Sequence, residues 1–545
     1  MRRRSRVLSA ALVALWVGAC GGAESDEGPE LPSERPQVDA GTPGGGTPDA
    51  GGFPDGGRTP DGGGVPDGGG APDGGSAPDG GSTPDGGGAS DGGTAPDGGS
   101  PDDGTPGAVR ALHHYGDEGD DRSATLARHA GSGDLLIALR SSGRGELKGE
   151  PLGEAPVHLA LVRLRADGTP VWKRAFQVQV DASTVEARSA YSASAAFTAD
   201  GSLWVLVGWR YGAMDLGTGP LPGGDYLVKL SASGATQRVR ALWSPSGVAL
   251  PYGLAADAQG GVLMTGQFDR TVDFGGGAVA STRRSDGSSV YTGFLASYAA
   301  EGTLRWVRTF GGLAGYGAGA DVAIHRSGDI LVGGTATGEA QFAGTPLPGS
   351  AGADEARGVL ARLSAQGTVR WVKAVGGHVG EVAFSPLGTA VAAGSVGSEA
   401  PLPWAGQVLE GGQVFLVTAE ADGTERWARR YHADSITGLG VDDAGSARFL
   451  ARGFRSTDFG GGPSGGTALA STYAVRVNLD GAWRWTRELP PWIDGGMDLA
   501  EAPRLALAAD GTAWVLGSFD GSFSAGGVSL RSRGASDVYL LQLGP

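Results

Sequence analysis

From residue 108 onward, short apolar runs of five to eight residues recur along the chain, each introduced by a turn signal. One set begins just after a glycine: SGDLLIAL at 132–139, DGSLWVLVG at 200–208, QGGVLMTGQF at 259–268 and SGDILVGG at 327–334. It continues with LGTAVAAG at 387–394, AGSARFLARG at 444–453 and DGTAWVLGSF at 510–519. A second set places a glycine between two strand-like runs, as in LVRLRADGTPVWKRAF (161–176), LASYAAEGTLRWVRTF (295–310) and LARLSAQGTVRWVKAV (360–375). LVTAEADGTERWARRY (416–431) and VRVNLDGAWRWTREL (475–489) repeat it, and LVKLSASGATQRVRAL (227–242) is a degenerate copy. The glycines of this second set are Gly168, Gly234, Gly302, Gly367, Gly423 and Gly481, 56 to 68 residues apart. An X-Gly pair between apolar runs predicts a β-hairpin, because such turns need φ > 0. Apolar runs bounded by glycine and rich in β-branched and aromatic residues predict buried strands. No segment of 12 or more residues carries a convincing helical period.

A repeat of about 60 residues holding two hairpins supplies four strands, which is one blade of a β-propeller. The pattern thus predicts an all-β fold over 108–545, a seven-bladed β-propeller of four-stranded antiparallel blades. The seventh copy, LALAADGTAWVLGSF followed by ASDVYLLQL, stops at Pro545 where its last hairpin would begin. VRALHHY at 109–115 resembles WVRTF and WARRY; Tyr115 matches Phe310 and Tyr431, and Ala111 stands where the others carry Trp. Residues 108–116 are therefore expected to act as an N-terminal closure strand that completes the last blade.

The first 107 residues follow other rules. Met1 to Cys20 combine a positive segment (Arg2, Arg3, Arg4, Arg6) with an 11-residue apolar run, Val7 to Val17. That run is too short to span a bilayer and reads as a secretory signal peptide. The chain's single Cys, Cys20, follows Val17, Gly18 and Ala19, and VGAC resembles the bacterial lipobox. The resemblance implies that Cys20 receives a diacylglycerol thioether and becomes the lipidated first residue; Gly21 is similar to the outer-membrane pattern. Residues 21–107 repeat a PDGGGx-like unit, with Asp every six residues from Asp49 to Asp103. With almost nothing to bury, this stretch is expected to be a disordered linker with an end-to-end distance of roughly 50 Å. It lacks the aliphatic residue per unit that a calcium-binding β-roll needs.

Charge sharpens the division. The net −16 comprises −15 from 21–107, +4 from the signal and −5 from 108–545. Such a balance argues against a nucleic-acid binder, which needs cations to replace phosphate counterions. A single Cys excludes an intramolecular disulfide framework and a Cys-based zinc site.

Candidate chemistry is sparse. Trp172, Trp306, Trp371, Trp427 and Trp485 each fall four residues after a turn glycine, and a fixed offset in every repeat predicts packing between repeats. His113 and His114 adjoin Asp117, Glu118, Asp120 and Asp121; successive strand residues face opposite ways, so a solvated loop is expected rather than a metal site. His129, His158, His325, His378 and His432 are scattered singly. Asp225, Asp354 and Asp537 near strand starts are expected to form turns, the alternative being that they line one face. There is no HExxH pattern, no GxSxG elbow and no P-loop, and DFGGG lacks the companion motifs of a kinase.

The run F-x-x-x-x-DFGGG, a strand, and an xGTxRWxRxFGG hairpin resembles the bacterial β-propeller repeats called SBBP. Phe268–Gly277 (FDRTVDFGGG) and Phe454–Gly462 (FRSTDFGGG) carry the resemblance best, while the second, fourth and fifth repeats lack DFGGG. The resemblance implies an extracytoplasmic propeller without a defined activity. DGTxxW is also similar to the docking motif of quinoprotein propellers, whose Cys pair this chain lacks, so no cofactor is expected. The sequence is thus read as a lipid-anchored cell-envelope protein: an outer-membrane lipoprotein, periplasmic or surface-exposed, and a monomer. Its expected role is a non-enzymatic binding or scaffold module for an envelope protein or glycan, with no catalytic, cofactor or metal residues assigned. The alternatives are an envelope polysaccharide or peptide hydrolase or lyase with its site in the propeller channel, and a scaffold in outer-membrane protein assembly.

Overall fold

The computed structural model describes residues 105–545 except 148, 154–158, 180–190, 245, 285, 313–314, 350–354, 397–400, 455–456, 465–469 and 491–501. Cys20 with Val17, Gly18 and Ala19, the signal, nearly all of the linker, His158 and Asp354 lie outside the described residues.

The described elements are all β-strands, and every ladder between them is antiparallel. Six runs of four paired strands and a seventh of three follow one another along the chain, with short flanking strands and hairpins. The first strands of these sheets are Asp121–Arg128, Tyr191–Phe197, Gly247–Ala256, Gly317–Ile324, His378–Phe384, Ala433–Val441 and Arg504–Leu507. Sheets one to six end on Pro170–Phe176, Thr236–Ala241, Leu304–Gly312, Val369–Gly376, Glu425–Tyr431 and Trp483–Leu489. The seventh sheet takes its fourth strand from the other end of the described chain: Val109–Tyr115 pairs with Asp537–Leu543, from Val109 opposite Leu543 to Tyr115 opposite Val538.

Both turn sets form, by a different geometry from the one the X-Gly pairs suggest. In the first hairpin Gly168 N–H donates to Arg165 C=O, and Arg165 N–H to Thr169 C=O. Only the glycine has φ > 0, at +78°. This is a tight turn followed by a left-handed glycine that makes a one-residue bulge, and the pairing slips there between Arg163 and Leu164. The residue before the glycine therefore varies freely, as Asp167, Ser233, Glu301 and Gln366 show.

Apolar surface is buried between sheets rather than within them. Leu136, Leu161, Val205 and Val228 belong to one cluster joining sheets one and two. Equivalent clusters join each later sheet to the next. A further one joins the seventh sheet (Trp514, Leu516, Leu540, with Tyr115) to the first (Leu135, Ile137, Val162).

A repeated lock reinforces these interfaces. The rings of Trp172, Trp306, Trp371 and Trp427 lie over Gly234, Gly367, Gly423 and Gly481 of the following sheet, where a Cβ would collide with them. Trp485 lies in the same way over Gly107, just ahead of the Val109–Tyr115 strand. The indole N–H of Trp172, Trp371 and Trp427 donates to Ala232, Ala421 and Leu479 C=O at 2.8–3.2 Å. Arginines two residues further on add to this: Arg174, Arg308 and Arg487 donate to the carbonyls of Gly234, Gly367 and Gly107. In sheet two Arg238 stands in for Trp over Gly302, helped by the buried Trp204. In the Val109–Tyr115 strand it is His113 that covers a glycine, Gly168.

DFGGG also has a physical explanation. Asp273 Oδ1 accepts the N–H groups of Gly275 and Gly277, and Asp458 does the same for Gly460 and Gly462. The intervening Phe274 and Phe459 are buried. Asp215 accepts Gly217, Thr218 and Gly219 N–H, so DLGTG in the second repeat makes the turn that DFGGG makes elsewhere.

Candidate functional site

Seven first strands, each packed against the next and the last against the first, meet around one cavity of about 150 Å³. The sequence supplies the geometry through bulges. Against its second strand, the first strand carries an extra residue between Ser123 and Thr125, Pro251 and Gly253, Gly319 and Asp321, Val379 and Glu381, and Ile436 and Gly438. A bulge breaks strict alternation and re-aims side chains. Neighbouring residues, such as Ala320 with Asp321 and Gly380 with Glu381, consequently both line the cavity. Gly253 and Gly438 let adjacent strands approach: a Cβ there would press on Asp321 Cα and on Leu505 Cβ.

Three charged side chains line this space. Asp321 accepts Val322 N–H at 2.8 Å and, across to the next sheet, Val382 N–H at 2.9 Å. Burial nevertheless pushes its carboxyl up to about 6, against these bonds and the pull of Arg504. No hydrogen bond reaches the Glu381 carboxyl among the described residues. Burial first, and then repulsion from Asp321, push it up to about 8, again opposed by Arg504. Arg504 donates from Nε to Ala124 C=O at 3.3 Å, linking the seventh sheet to the first. Two carboxyls on neighbouring sheets thus face a guanidinium carried two sheets beyond Glu381, and both hold a proton to higher pH than ordinary carboxyls do. On the same strand as Glu381, His378 is held neutral by burial, its imidazole pushed down to about 4, with the Thr335 hydroxyl at Nδ1.

The histidines and acids singled out from the sequence lie elsewhere. His113 covers Gly168, whereas His114 Nε2 donates to Asp537 Oδ2 at 2.5 Å, so the two rings part as strand alternation requires. In the neighbouring acidic segment Glu118 is exposed and Asp117 and Asp120 are half-buried, as a solvated loop requires, and only Asp121 departs from that expectation. Asp121 is 3% exposed and its carboxyl is raised to about 6 by burial, despite bonds from Ser141 and Asp117 N–H. Asp120 is held low by Ser536 and Arg122 although burial opposes this. Asp117 organises the loop by accepting Gly119 and Arg144 N–H. The expectation that strand-entry acids form turns holds for Asp537, which begins its strand and accepts Arg533 N–H four residues earlier, but needs correction for Asp225. Asp225 is buried in mid-strand opposite Gly208, with Arg210 at 3.8 Å. Asp537, fully buried, receives His114 and Arg533 N–H, and neither residue lines the cavity. Among the described residues no group of three or more His, Cys, Asp or Glu is placed to hold a metal ion.

Sequence reasoning missed Asp321, Glu381 and Arg504. A register signal finds them: each lies seven residues before the first-set glycine of its repeat (Gly328, Gly388, Gly511). The same offset gives Leu126, Ser194, Gly253 and Gly438, all on the cavity wall.

No known family model matches the chain, and no curated protein matches it. Many solved structures are similar to it, among them the following two. One is BamB from Moraxella catarrhalis, at 12% identity and a TM-score of 0.34, over 77% of this chain and 85% of that one. The other is the Dos1 propeller, at 10% identity and a TM-score of 0.37, over 79% of this chain and 94% of that one. At those scores neither similarity assigns a role to any residue of the cavity.

Proposed function

We propose that the chain is a seven-bladed β-propeller of the SBBP type, closed by residues 108–116 and anchored in the outer membrane through lipid on Cys20. It serves there as a non-enzymatic binding or scaffold module for an envelope protein or glycan, as a monomer facing the periplasm or the exterior. One observation carries the reading. The interface series runs sheet by sheet and comes back to its start, with Trp485 over Gly107 and His113 over Gly168. A series of that kind makes a stiff platform whose N-terminal strand follows directly on the linker, and function on such a platform lives in its surfaces and central cavity.

The test has two arms. Cells fed an alkyne analogue of palmitate should label the wild-type protein and not Cys20→Ser, and the substitution should release the protein from the membrane fraction. Protease shaving with cross-linking in intact cells should then retrieve a defined envelope protein or glycan. Unlabelled wild-type protein overturns the anchor; repeated capture of nothing overturns the binding role. The hydrolase reading gains one observation, the carboxyl pair in the cavity. If the non-enzymatic reading holds, Glu381→Gln should leave envelope glycan and peptide turnover unchanged, and a loss of turnover would favour the hydrolase.

A further inference from the structure

The repeat also departs from its own pattern where sheets two and three meet. In sheet two the pairing of Leu203–Asp215 with Pro220–Leu230 slips between Trp209 and Ala213, so Arg210, Tyr211 and Gly212 face Gly223 alone. Such a bulge re-aims side chains, and it leaves Tyr211 49% exposed. Trp243, just after the fourth strand, lies over Gly224, where a Cβ would run into the indole. It contacts the Tyr226 side chain and is itself exposed. In sheet three, Phe268 to Asp273 is one residue longer than its counterpart Phe454 to Asp458. Arg270 there takes a left-handed φ of +58°, a conformation that non-glycine residues rarely hold, and its side chain is mostly exposed. Charged pairs complete the cluster: Arg210 with Asp225 at 3.8 Å and Arg270 with Asp269 at 3.3 Å. Asp269, Arg270 and Arg210 all act on the half-buried Tyr291, which joins the two pairs into one surface.

We propose that this surface binds a neutral glycan, with the rings of Tyr211 and Trp243 stacked against sugar rings and the Arg210–Asp225 and Arg270–Asp269 pairs bonding the hydroxyls at their edges. The proposal rests on the binding-module reading and narrows its partner to one class. A sugar ring carries C–H groups on its faces and hydroxyls around its rim. It therefore needs an aromatic face with donors and acceptors beside it, and Tyr and Trp supply such faces with little entropy to lose. The charged pairs serve without being broken, because a carboxylate has about four acceptor sites and a guanidinium five N–H donors. The balance of charge selects against a polyanion, since each of these cations already has an acid beside it. The pattern of exposure selects against a protein, whose interface core is broadly apolar. The large aliphatic side chains that are exposed among the described residues, Val171, Leu387 and Val408, belong to sheets one and five, and at this junction the exposed large apolar groups are Tyr211 and Trp243.

Titration calorimetry on the detergent-solubilised full-length protein tests this, with cellohexaose, maltohexaose, mannohexaose and hexa-N-acetylchitohexaose as neutral probes and polygalacturonate as the anionic control. At least one neutral hexasaccharide should bind. Tyr211→Ala and Trp243→Ala should each weaken it by roughly five- to tenfold, as the loss of one stacked ring implies, while Tyr211→Phe, which keeps the ring, should stay within about twofold. Trp243 packs over Gly224, so the melting temperature of its variant is measured alongside, and Tyr211→Ala, at an exposed site, stands as the independent variant. Binding of polygalacturonate in place of every neutral probe overturns the proposal. So does sugar binding that neither alanine substitution changes, or the absence of any sugar binding. A benzophenone amino acid in place of Tyr211 in intact cells should attach to glycan; repeated attachment to one envelope protein overturns the glycan assignment. That last result leaves the binding-module reading standing, so failure here is separable from failure of that reading.

Discussion

The sheet interfaces and the central cavity are built from the same repeat and use it in opposite ways. At the interfaces one position, four residues after the turn glycine, is Trp in five repeats and does the same work each time. In the cavity one position, seven residues before the other glycine, carries six different residue types in seven repeats. A repeated position that keeps its residue is serving the packing common to all units. One that changes at every repeat is free of that duty, and there charge can be placed without disturbing neighbouring sheets. The difference teaches that the search for function in such a chain belongs where the repeat disagrees with itself.

The comparison can be broken most severely at the seam. Deleting 108–116 removes a whole strand of the seventh sheet together with Tyr115, and should lower the melting temperature by roughly 10 °C or more, whereas deleting 30–100 should leave it within about 1 °C. Scanning calorimetry distinguishes them, and equal shifts would refute the closure. Next in size is Trp204→Ala, which empties a site 1% exposed and takes the partner of Gly260 C=O from the interface. Chemical denaturation should show a loss of about 3–5 kcal/mol.

The cavity answers to pH instead. Raised carboxyl values in the folded state mean that the native protein binds more protons than the unfolded chain. The stability that Glu381 contributes is therefore complete below its ordinary value of 4.5 and lost as pH rises through about 8. The melting temperature should fall by on the order of a few degrees between pH 6 and 9. Glu381→Gln should flatten that upper limb while leaving the part due to Asp321 and Asp121, both near 6. His378, held down at about 4, acts in the opposite sense and only below about 6.5. An unchanged slope in Glu381→Gln would show that the carboxyl is not the group in question. Smallest of all, Arg238→Trp restores the repeat's usual residue at sheet two. Because Trp204 already approaches Gly302 there, it should cost about 1 kcal/mol through overpacking rather than stabilise the fold.

The parts of the fold that are legible in the sequence are those where chemistry leaves one choice. Gly168, Gly234 and their counterparts can be read because a left-handed position tolerates almost nothing else. The tryptophan ladder can be read because its offset never drifts. The strand 109–115 can be read from Tyr115, which fills the place of Phe310 and Tyr431. Other features depend on contacts far apart in the chain. DLGTG looked like a missing motif because the central glycine of DFGGG is not what the turn needs; an Asp and two alternate N–H groups suffice. The segment from Asp117 to Asp121 has the composition of a wet loop, and Glu118 is exposed, yet Ser536 and Asp537, more than 400 positions away, act on its last two residues, Asp120 and Asp121. Asp321, Glu381 and Arg504 share only an offset from their turn glycines, and it takes three sheets meeting at one cavity to turn that offset into a site.

The pairing of Val109–Tyr115 with Asp537–Leu543 has a consequence for the order of events in the cell. The earliest of the described strands to be synthesised is a partner of the latest, so it waits through more than 400 residues of translation before its ladder can form. Until then the growing chain keeps an unpaired strand at one end and an unfinished sheet at the other, each a template for the wrong neighbour. The exposure of that strand to competing edges ends only when residues 537–543 arrive.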